Sequence, residues 1–597
     1  MKALFYLNKY LLQHKWALLA GVALTLLANV VAIFPPRLVK HAFDLVQQSM
    51  DTHQLTTAPS QRTMLVQGLL LYSAGIFLCA FLKSLFSLLN RSTFTFTGKR
   101  IEYALKNEIY RHYQTLPLSF YHRNSTGDLM ARITEDVNRV GMYLGPCLMY
   151  IVSTTTTFLI VVPFMWSLDK RLTLYAGVPI LFLAAGTYYV STFLSHRSQA
   201  IQTQLSNLTT LAQESFAGIR VLQAFACEKA FTKKFSEACQ EYQTRALRLT
   251  AINAFFFPAV VGIIGLGTVM VVWIGGQAVI KGAMTPGTIA EFVMYLHLLG
   301  WPTFSISWIT NFVQRAAASQ QRINEFLQEK NPIVSHKALK TPIQGTLAFR
   351  NVSFTYPNSG IQALEQVSFE VAAGQSLAIV GTTGAGKTTL ANLICRLYDV
   401  DKGSIVIDDV PIEDYAVPWL RQHLGYVPQD VFLFADTIYN NIALGAPQAT
   451  PAQLVAAAQQ ADIYSTIQQL PDQMQTVIGE RGVTLSGGQK QRLSIARAFV
   501  RNPKILVLDD CLSAVDTQTE QSILQAMAKV MQGRTTIIIS HRIAAAKLAD
   551  HILVLEAGKV VEQGSHQHLW SRKGLYHALH ERQVKEDKRF DKEGDSS

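Results

Sequence analysis

Long apolar runs separated by basic stretches fill the first half of the chain. Six of these runs approach the length of about 20 residues that a helix needs to cross a bilayer. They lie at approximately Trp16–Leu38, Met64–Leu89, Val140–Leu168, Leu172–Leu194, Ala251–Val272 and Thr288–Val313. Glu291, His297 and Asn311 interrupt the sixth run. The pattern predicts an all-α membrane domain of six helices within residues 1–330.

Lys and Arg residues concentrate in two of the connections between these runs. The connections after the second and fourth runs are long and basic, whereas those after the first, third and fifth are shorter and carry few basic residues. The positive-inside rule therefore places both termini and the two long connections in the cytoplasm. The same distribution accounts for much of the net charge of +12, so the sequence argues against nucleic-acid binding.

Each long connection has a central break in its helical pattern. The breaks fall at Leu116–Leu118 and Asn124–Asp128 in the first connection, and at Glu214–Gly218 in the second. They indicate two membrane helices that extend into the cytoplasm and are joined by a short transverse element, which would suit contact with a soluble domain. A plain helical hairpin is the alternative.

The composition changes near Glu329–Pro332, where apolar runs become shorter and β-branched residues and turn signals become more frequent. Strand-like runs occur at Leu347–Tyr356, Leu377–Val380, Ile405–Ile407, Ile505–Leu508, Thr536–Ile539 and Ile552–Leu555. Because these alternate with helical stretches, the pattern predicts an α/β nucleotide-binding domain over residues 331–583. Residues 584–597 are dense in charge and poor in apolar residues, which predicts a disordered tail.

A glycine-rich loop follows the second strand-like run. Its residues match the pattern G-x-x-x-x-G-K-[ST] and are Gly381, Thr382, Thr383, Gly384, Ala385, Gly386, Lys387 and Thr388. A buried strand precedes the loop and a helix starting near Thr389 follows it, as a phosphate-binding loop requires. Backbone amides and the helix N-terminus would surround phosphate oxygens. We expect Lys387 to reach the β- and γ-phosphates and the Thr388 hydroxyl to bind Mg²⁺.

Two carboxylates end the strand-like run Ile505–Leu508. Asp509 suits the acid that holds Mg²⁺ in such sites. Asp510 follows at the position from which a base would address the attacking water. The alternative for Asp510 is a solvated acid at the end of a strand.

A second motif lies about a hundred residues after the glycine loop. It consists of Leu485, Ser486, Gly487, Gly488 and Gln489. Ser486 and the two glycines offer a hydroxyl and closely spaced backbone amides, and the helix that begins at Gln489 points its positive end outward. This combination favours contact with a phosphate group.

These motifs, in this order, resemble the ATPase domain of ABC transporters, and the whole chain is similar to an exporter-type half-transporter. The resemblance covers nearly the full length. It implies a six-helix transmembrane domain followed by an α/β P-loop ATPase domain, which has a RecA-like core with antiparallel β and α-helical subdomains. In this family the LSGGQ signature grips ATP that is bound to the P-loop of a second subunit, so one copy per chain implies a dimer.

The resemblance also assigns roles to single residues. Tyr356 would stack on adenine, Gln429 would sense Mg²⁺ and the membrane domain, and His541 would be the switch histidine. The implied Mg²⁺ ligands are Thr388, Gln429 and Asp509. The implied D-loop consists of Ser513, Ala514, Val515 and Asp516. Further matches are the exporter-specific loop Gly479–Gly482 and the coupling-helix regions Ser119–Tyr121, Thr126–Leu129 and Gly218–Val221.

One residue departs from the family pattern. Most members have Glu after the Mg²⁺-binding Asp, whereas this chain has Asp510. The shorter side chain withdraws the carboxylate by roughly 1.5 Å, and a misplacement of about 1 Å can cost about a hundredfold in rate. The resemblance to exporters with Asp here favours a heterodimer whose second subunit supplies the active site. A homodimer in which Asp510 still acts as the base is the alternative.

The resemblance implies export of a hydrophobic or amphipathic small molecule, driven by ATP and Mg²⁺, across a bacterial inner membrane. The expected partners are a second half-transporter, the lipid bilayer and the transported substrate. Aromatic residues in the fifth and sixth runs would suit bulky substrates, although packing between helices is the alternative. They are Phe255, Phe256, Phe257, Trp301, Phe304, Trp308 and Phe312. Competing functions are a lipid flippase, an ATP-gated channel and a catalytically weak regulatory half of a heterodimer.

Overall fold

The chain forms two compact units in the computed structural model, which describes residues 2–51, 59–479, 482, 485–511 and 517–594. The first unit comprises Met1–Gln114 and Gly127–Glu329, and the second comprises Thr115–Thr126 and Lys330–Ser597. The predicted domain limits at residues 330 and 583 stay predictions.

The first unit is helical throughout the described residues. In chain order its elements are a 3₁₀-helix (Lys2–Leu7), α1 (Asn8–Gln13), α2 (Lys15–Val31), α3 (Phe34–Asp51), α4 (Pro59–Thr115), α6 (Thr126–Ala131), a π-helix (Arg132–Asp136), α7 (Val137–Met142), another π-helix (Tyr143–Cys147), α8 (Leu148–Leu168), α9 (Lys170–Ala217), α10 (Ile219–Ala224), α11 (Glu228–Ile280) and α12 (Pro286–Gln328). The helix α5 (Leu118–Arg123) belongs to the second unit.

Four helical stretches in the described part of the chain are long and apolar enough to cross a membrane. They are Lys15–Met50, Thr63–Thr115, Thr126–Leu168 and Pro258–Ile280, and they overlap the first, second, third and fifth predicted runs. The fourth and sixth runs lie on α9 and α12, which are helical across those ranges. Their crossing of the membrane stays a prediction. The side chains of residues 187, 188 and 190–196 lie outside the described part.

The polar interruption of the sixth run corresponds to a contact between α12 and α3. Glu291 is completely buried, and its Oε2 lies 3.6 Å from Nζ of Lys40. The hydroxyl of Tyr295 lies 3.2 Å from the other carboxylate oxygen. An ionisable group inside a membrane domain is costly unless it is paired. Lys40 supplies the pair, so Glu291 joins two helices of the unit.

Besides α5, the described part of the second unit contains ten α-helices, two 3₁₀-helices and the strands. Its elements are β1 (Leu347–Thr355), β2 (Gln362–Val371), β3 (Ser376–Gly381), α13 (Lys387–Ile394), β4 (Lys402–Ile407), β5 (Val410–Pro411), a 3₁₀-helix (Ile412–Asp414), α14 (Val417–Gln422), β6 (Leu424–Val427), α15 (Ile438–Ala443), α16 (Pro451–Gln460), α17 (Tyr464–Gln468), a 3₁₀-helix (Gln473–Gln475), α18 (Gly487–Phe499), β7 (Ile505–Asp509), α19 (Thr517–Met531), β8 (Thr535–Ile539), α20 (Ile543–Ala546), β9 (His551–Glu556), β10 (Lys559–Gly564), α21 (His566–Arg572) and α22 (Leu575–Gly594).

Two sheets organise the described part of this unit. The larger has the order β10-β9-β3-β8-β7-β6 and is parallel from β9 to β6, and the smaller has the antiparallel order β2-β1-β4-β5. All residues of β3, β7 and β8 are buried, as expected of parallel strands covered on both faces. Because parallel strands end at one edge, the segments that follow β3, β6, β7 and β8 converge there.

Two short helices occupy the predicted breaks of the long connections. Helix α5 begins after Pro117, and Leu118 packs against the apolar core of the second unit. The Ser119 carbonyl accepts a hydrogen bond from Nδ2 of Asn358 at 3.1 Å. Helix α10 follows Gly218 in the first unit, and beside it Phe225 is 75% exposed. Each long connection therefore contains a short helix next to a predicted break, and the transverse direction of these helices stays a prediction.

The C-terminal helix α22 continues through Gly594, across most of the segment for which the sequence predicts disorder from Val584. Residues 595–597 lie outside the described part. Glu, Lys and Arg are good helix formers, and this segment contains no proline, so a charged composition is compatible with a helix here.

Candidate active site

The glycine loop joins the end of β3 to the start of α13. Gly386 caps α13 with φ 98°, a left-handed conformation that glycine adopts readily. A Cβ at this position would lie 2.4 Å from the Ala363 carbonyl oxygen. Nζ of Lys387 donates hydrogen bonds to the carbonyl oxygens of Gly381 and Thr382, each at 2.9 Å. The loop thus has the strand–loop–helix geometry that its sequence predicts.

The ammonium group of Lys387 is partly withdrawn from water. Burial lowers its pKa, and the negative charges of Asp510 and Asp509 oppose this shift. A desolvated ammonium group interacts more strongly with an anion than an exposed one does, because the local dielectric constant is lower. Lys387 is therefore placed to bind a phosphate group.

Asp509 is a buried carboxylate with one unpaired oxygen. The side chain is completely buried, and its Oδ1 accepts a hydrogen bond from the Thr388 hydroxyl at 3.3 Å. Its Oδ2 has no hydrogen-bond partner among the described residues. Burial raises the pKa of Asp509 to about 6, and the charge of Asp510 adds to this effect. A carboxylate and a hydroxyl are oxygen ligands of the kind that Mg²⁺ prefers, so these residues fit the metal.

Asp510 connects the segments that follow β6 and β8. Its Oδ1 accepts a hydrogen bond from Nδ1 of His541 at 2.8 Å, and its Oδ2 accepts one from Nε2 of Gln429 at 3.2 Å. The hydrogen bond that His541 donates to Asp510 raises the pKa of His541. Asp510 has φ 47°, a left-handed conformation that Asp tolerates better than most residues. The three residues assigned to catalysis by resemblance therefore lie in one hydrogen-bonded group.

The contact of Gln429 with Asp510 involves its amide nitrogen. The sequence assigns Gln429 to Mg²⁺ binding, together with Thr388 and Asp509. A metal would bind the amide oxygen and not the nitrogen, so the role of Gln429 at the metal stays a prediction.

Tyr356 lies beside the helix that follows the glycine loop. Its hydroxyl is 3.0 Å from Oγ1 of Thr389. The ring meets Phe354 and Tyr398 edge-on, at centroid distances of 5.0 and 5.6 Å. These contacts fix the ring next to the loop. Stacking of Tyr356 on adenine stays a prediction.

The signature residues form the start of α18. Ser486 is the N-cap, and its Oγ accepts a hydrogen bond from the Gln489 backbone N–H at 3.3 Å. The Gln489 side chain completes a capping box by accepting from the Ser486 N–H at 3.0 Å. Because the cap uses Oγ only as an acceptor, the hydroxyl proton of Ser486 remains available for a phosphate oxygen. Ser486 is exposed, as such a contact requires.

Some predicted residues lie outside the described part. They are the D-loop residues Ser513, Ala514, Val515 and Asp516, and Glu480 and Arg481 of the exporter-specific loop. Conversely, two contacts beside His541 involve residues that no motif singles out. Arg542 pairs with Glu520, 22 residues away, and the Ile543 N–H donates to Gln583, 40 residues away. No local pattern signals contacts between residues so far apart.

Comparisons with known proteins agree with this architecture. Residues 18–303 match the family model of the ABC transporter transmembrane region, and residues 364–513 match that of the ABC transporter. An ATP-dependent lipid A-core flippase of Syntrophus aciditrophicus is 37% identical over 83% of this chain and 82% of its own length. A multidrug resistance-like ATP-binding protein of Escherichia coli, MdlA, is 34% identical over 97% of this chain and 96% of its own length.

A solved structure of an ABC exporter has the same fold as this chain. The structure of a bacterial Atm1-family ABC exporter with ATP bound superimposes with a TM-score of 0.81, at 29% identity, over 96% of this chain and 99% of that chain. The ATPase domain described above is therefore coupled to transport, and half-transporters of this kind dimerise. The chain belongs to the ABC transporters and is an exporter half-transporter, a multi-pass membrane protein with its transmembrane region and ATPase domain fused in one polypeptide.

Proposed function

We propose that this exporter moves hydrophobic or amphipathic small molecules across a bacterial inner membrane by alternating access. The observation that carries the proposal is the meeting of Lys387, Asp509 and the Asp510–His541 pair at one edge of a sheet, in a chain of the exporter family. ATP binding would join two nucleotide-binding domains, and hydrolysis would separate them.

The proposed ATP chemistry assigns a task to each residue of the site. Lys387 holds the β- and γ-phosphates, and Thr388 and Asp509 hold Mg²⁺. Bound Mg²⁺ neutralises negative charge on the phosphates. Asp510 accepts a proton from the attacking water, and His541 orients the Asp510 carboxylate. Water attacks the γ-phosphorus, and the bond to the departing ADP oxygen breaks. Ser486 of a second subunit completes the site.

We further propose that Asp510 makes this site slow and that the natural assembly is a heterodimer. Two observations support this. The Asp side chain is about 1.5 Å shorter than Glu, and both of its oxygens already accept hydrogen bonds from Gln429 and His541. A carboxylate engaged in this way is a poorer proton acceptor for water. The intact signature Leu485–Gln489 would complete the partner's site, which would carry most of the turnover.

An aromatic face on α12 supports a hydrophobic or amphipathic substrate. Trp308 meets Tyr150 of α8 at a ring-centroid distance of 5.1 Å and Phe312 at 4.4 Å. Trp308 remains 42% exposed and Trp301 62% exposed. Exposed Trp rings suit molecules that combine apolar surface with a polar group, because the ring is apolar and the indole N–H can donate a hydrogen bond. The side chains of Phe256 and Phe257 lie outside the described part.

A lipid flippase is the second candidate, because one relative that is 37% identical is named a lipid A-core flippase. An amphipathic lipid could bind to the same aromatic residues of α12. Stimulation of ATP hydrolysis by a lipid, and not by drug-like amphiphiles, would favour this candidate over the first.

The deciding experiment is steady-state ATP hydrolysis by the chain alone, reconstituted in lipid, beside its Asp510→Glu and Lys387→Ala variants. Negligible wild-type turnover that Asp510→Glu restores would support a weak site that relies on a partner. Robust wild-type turnover that Lys387→Ala abolishes would contradict the heterodimer and mean that Asp510 is an adequate base. Turnover that survives Lys387→Ala would overturn the assignment of the ATP site itself.

A further inference from the structure

His541 is held by contacts on both sides along the backbone. On one side, the Ser540 N–H donates to the Ile379 carbonyl oxygen at 3.2 Å. On the other side, Arg542 pairs with Glu520 of α19. The next residue, Ile543, begins α20, and its N–H donates to Oε1 of Gln583 at 2.9 Å. The hydrogen bond from Ile543 therefore links this segment to a single side chain of the C-terminal helix.

The face of α22 that carries Gln583 is fixed by packing. Leu575, Leu579 and Gln583 follow each other at intervals of four residues and so share one face of the helix. Leu575 and Leu579 pack against the buried cluster that contains Ile543. Gln583 lies one turn further along, where it meets the Ile543 N–H.

The start of α22 is anchored as well. Both carboxylate oxygens of Glu562, on β10, accept hydrogen bonds from the first turn. These come from the Leu575 N–H at 2.8 Å and the Tyr576 N–H at 3.1 Å. With its first turn fixed by Glu562 and its apolar face packed, α22 has little freedom to rotate. Gln583 therefore supports the start of α20 and, through it, His541, which lies two positions before Ile543.

We propose that Gln583 is a positioning residue for His541, so that the C-terminal helix sets the geometry of the Asp510–His541 pair. The inference rests on the proposed role of His541 in hydrolysis. The hydrogen bond that Gln583 accepts comes from Ile543, and neither the glycine loop nor the signature is part of that contact. Its loss should therefore affect the chemical step and leave nucleotide binding unchanged.

The test compares two substitutions that differ only in the ability to accept a hydrogen bond. Gln583→Met keeps the length of the side chain and removes the acceptor, whereas Gln583→Glu keeps an acceptor. Amide hydrogen exchange at Ile543 in the full-length chain should be at least about fivefold faster in Gln583→Met than in wild type. It should be close to wild type in Gln583→Glu. Val584→Ala, at the neighbouring position, controls for a general effect on α22.

Hydrolysis is measured on the wild-type chain or, if that chain is inactive, on the Asp510→Glu background. We expect Gln583→Met to lower kcat by about fivefold with KM for ATP unchanged, and Gln583→Glu to restore most of the rate. If neither preparation turns over, the exchange measurement alone decides. Unchanged exchange at Ile543, or faster exchange with unchanged kcat, would overturn the proposal. Full activity of His541→Ala would instead overturn the proposed role of His541, which separates the two failures.

Discussion

Asp509 is held in surroundings that oppose its ionisation. Burial raises its pKa from 3.8 to about 6. Between about pH 4 and pH 6 the folded protein therefore binds more protons here than the unfolded chain does, and the stability contribution of Asp509 falls as pH rises through this window. The Asp509→Asn variant removes the titration. Without metal or nucleotide, we expect it to be more stable than wild type at about pH 8, by about 1–2 kcal/mol.

The measurement is thermal unfolding of both proteins across this pH range in the presence of a chelator. The two melting temperatures should converge as pH falls towards about 4, because the Asp509 carboxyl of the folded protein is then protonated and uncharged, like the Asn side chain. Adding ATP and Mg²⁺ at the higher pH should stabilise wild type and have little effect on Asp509→Asn. A stability difference that stays constant with pH would show that the carboxylate does not titrate as its burial implies.

Ser486 combines two tasks that substitutions can separate. Its Oγ caps α18, and its hydroxyl proton is the proposed donor to the partner's ATP. Ser486→Ala should lose both, with a stability cost of about 1 kcal/mol. Ser486→Asp keeps a capping oxygen but places a negative charge beside a phosphate. We expect Ser486→Asp to retain wild-type stability and still lose ATP-driven transport, measured in the assembled transporter. Normal transport by Ser486→Asp would contradict the phosphate contact.

At the scale of elements, an ion pair with a buried carboxylate joins α12 to the π-helix Arg132–Asp136. Asp136 is 3% exposed, whereas the Arg322 side chain is 48% exposed. Asp136 accepts a hydrogen bond from Nε of Arg322 at 2.9 Å and another from the Ser319 hydroxyl at 2.8 Å. Removing Arg322 would leave a buried carboxylate without its cation. We expect Arg322→Met to destabilise the protein by about 2 kcal/mol, less than for a fully buried pair because the Arg322 side chain is partly exposed. The loss should be seen as a lower melting temperature in detergent.

The matched control is an exposed pair on the same stretch of chain. Arg139 pairs with Glu135 four residues away, and the two side chains are 41% and 62% exposed. Arg139→Met should therefore cost no more than about 0.5 kcal/mol. The double variant Asp136→Leu with Arg322→Met should recover much of the loss, because no charge then remains buried. Equal effects of Arg322→Met and Arg139→Met would mean that burial does not strengthen the first pair.

Helices and strands that a local sequence pattern encodes can be predicted from the sequence. Contacts between residues far apart in the chain cannot. The residues Gly381–Thr388 lie between a strand and a helix because the pattern that binds phosphate also requires that local geometry. The six apolar runs are helical for a similar reason, since their length and composition are local properties. By contrast, Gln583 and Glu520 meet the His541 segment only after the chain has folded. The helix through Gly594 differs from the predicted disorder, because the charged residues that predict disorder also form helices well.

For the whole molecule, the number of membrane crossings decides on which side of the membrane each connection between helices lies. Composition supports crossings by the stretches Lys15–Met50, Thr63–Thr115, Thr126–Leu168 and Pro258–Ile280. The pattern of apolar runs predicts that α9 and α12 cross as well. Both schemes have an even number of crossings, so both place the ATPase domain on the same side as the N-terminus, which the positive-inside rule predicts to be cytoplasmic. They differ in the sides on which the α10–α11 and α11–α12 connections lie.

Cysteine labelling separates the two schemes. Cys227 lies between α10 and α11, and the exposed Ala283 lies between α11 and α12. With six crossings, a membrane-impermeant maleimide applied to intact spheroplasts should label Ala283→Cys and should label Cys227 only after permeabilisation. With four crossings, the result is reversed. Each protein carries a single cysteine, the others being replaced by serine, and retained ATP hydrolysis or transport of the assembled transporter verifies folding. The long basic connections follow the second and fourth apolar runs, and the positive-inside rule places both in the cytoplasm. Only the six-crossing scheme does so for the connection between α10 and α11, and we therefore expect the six-crossing result.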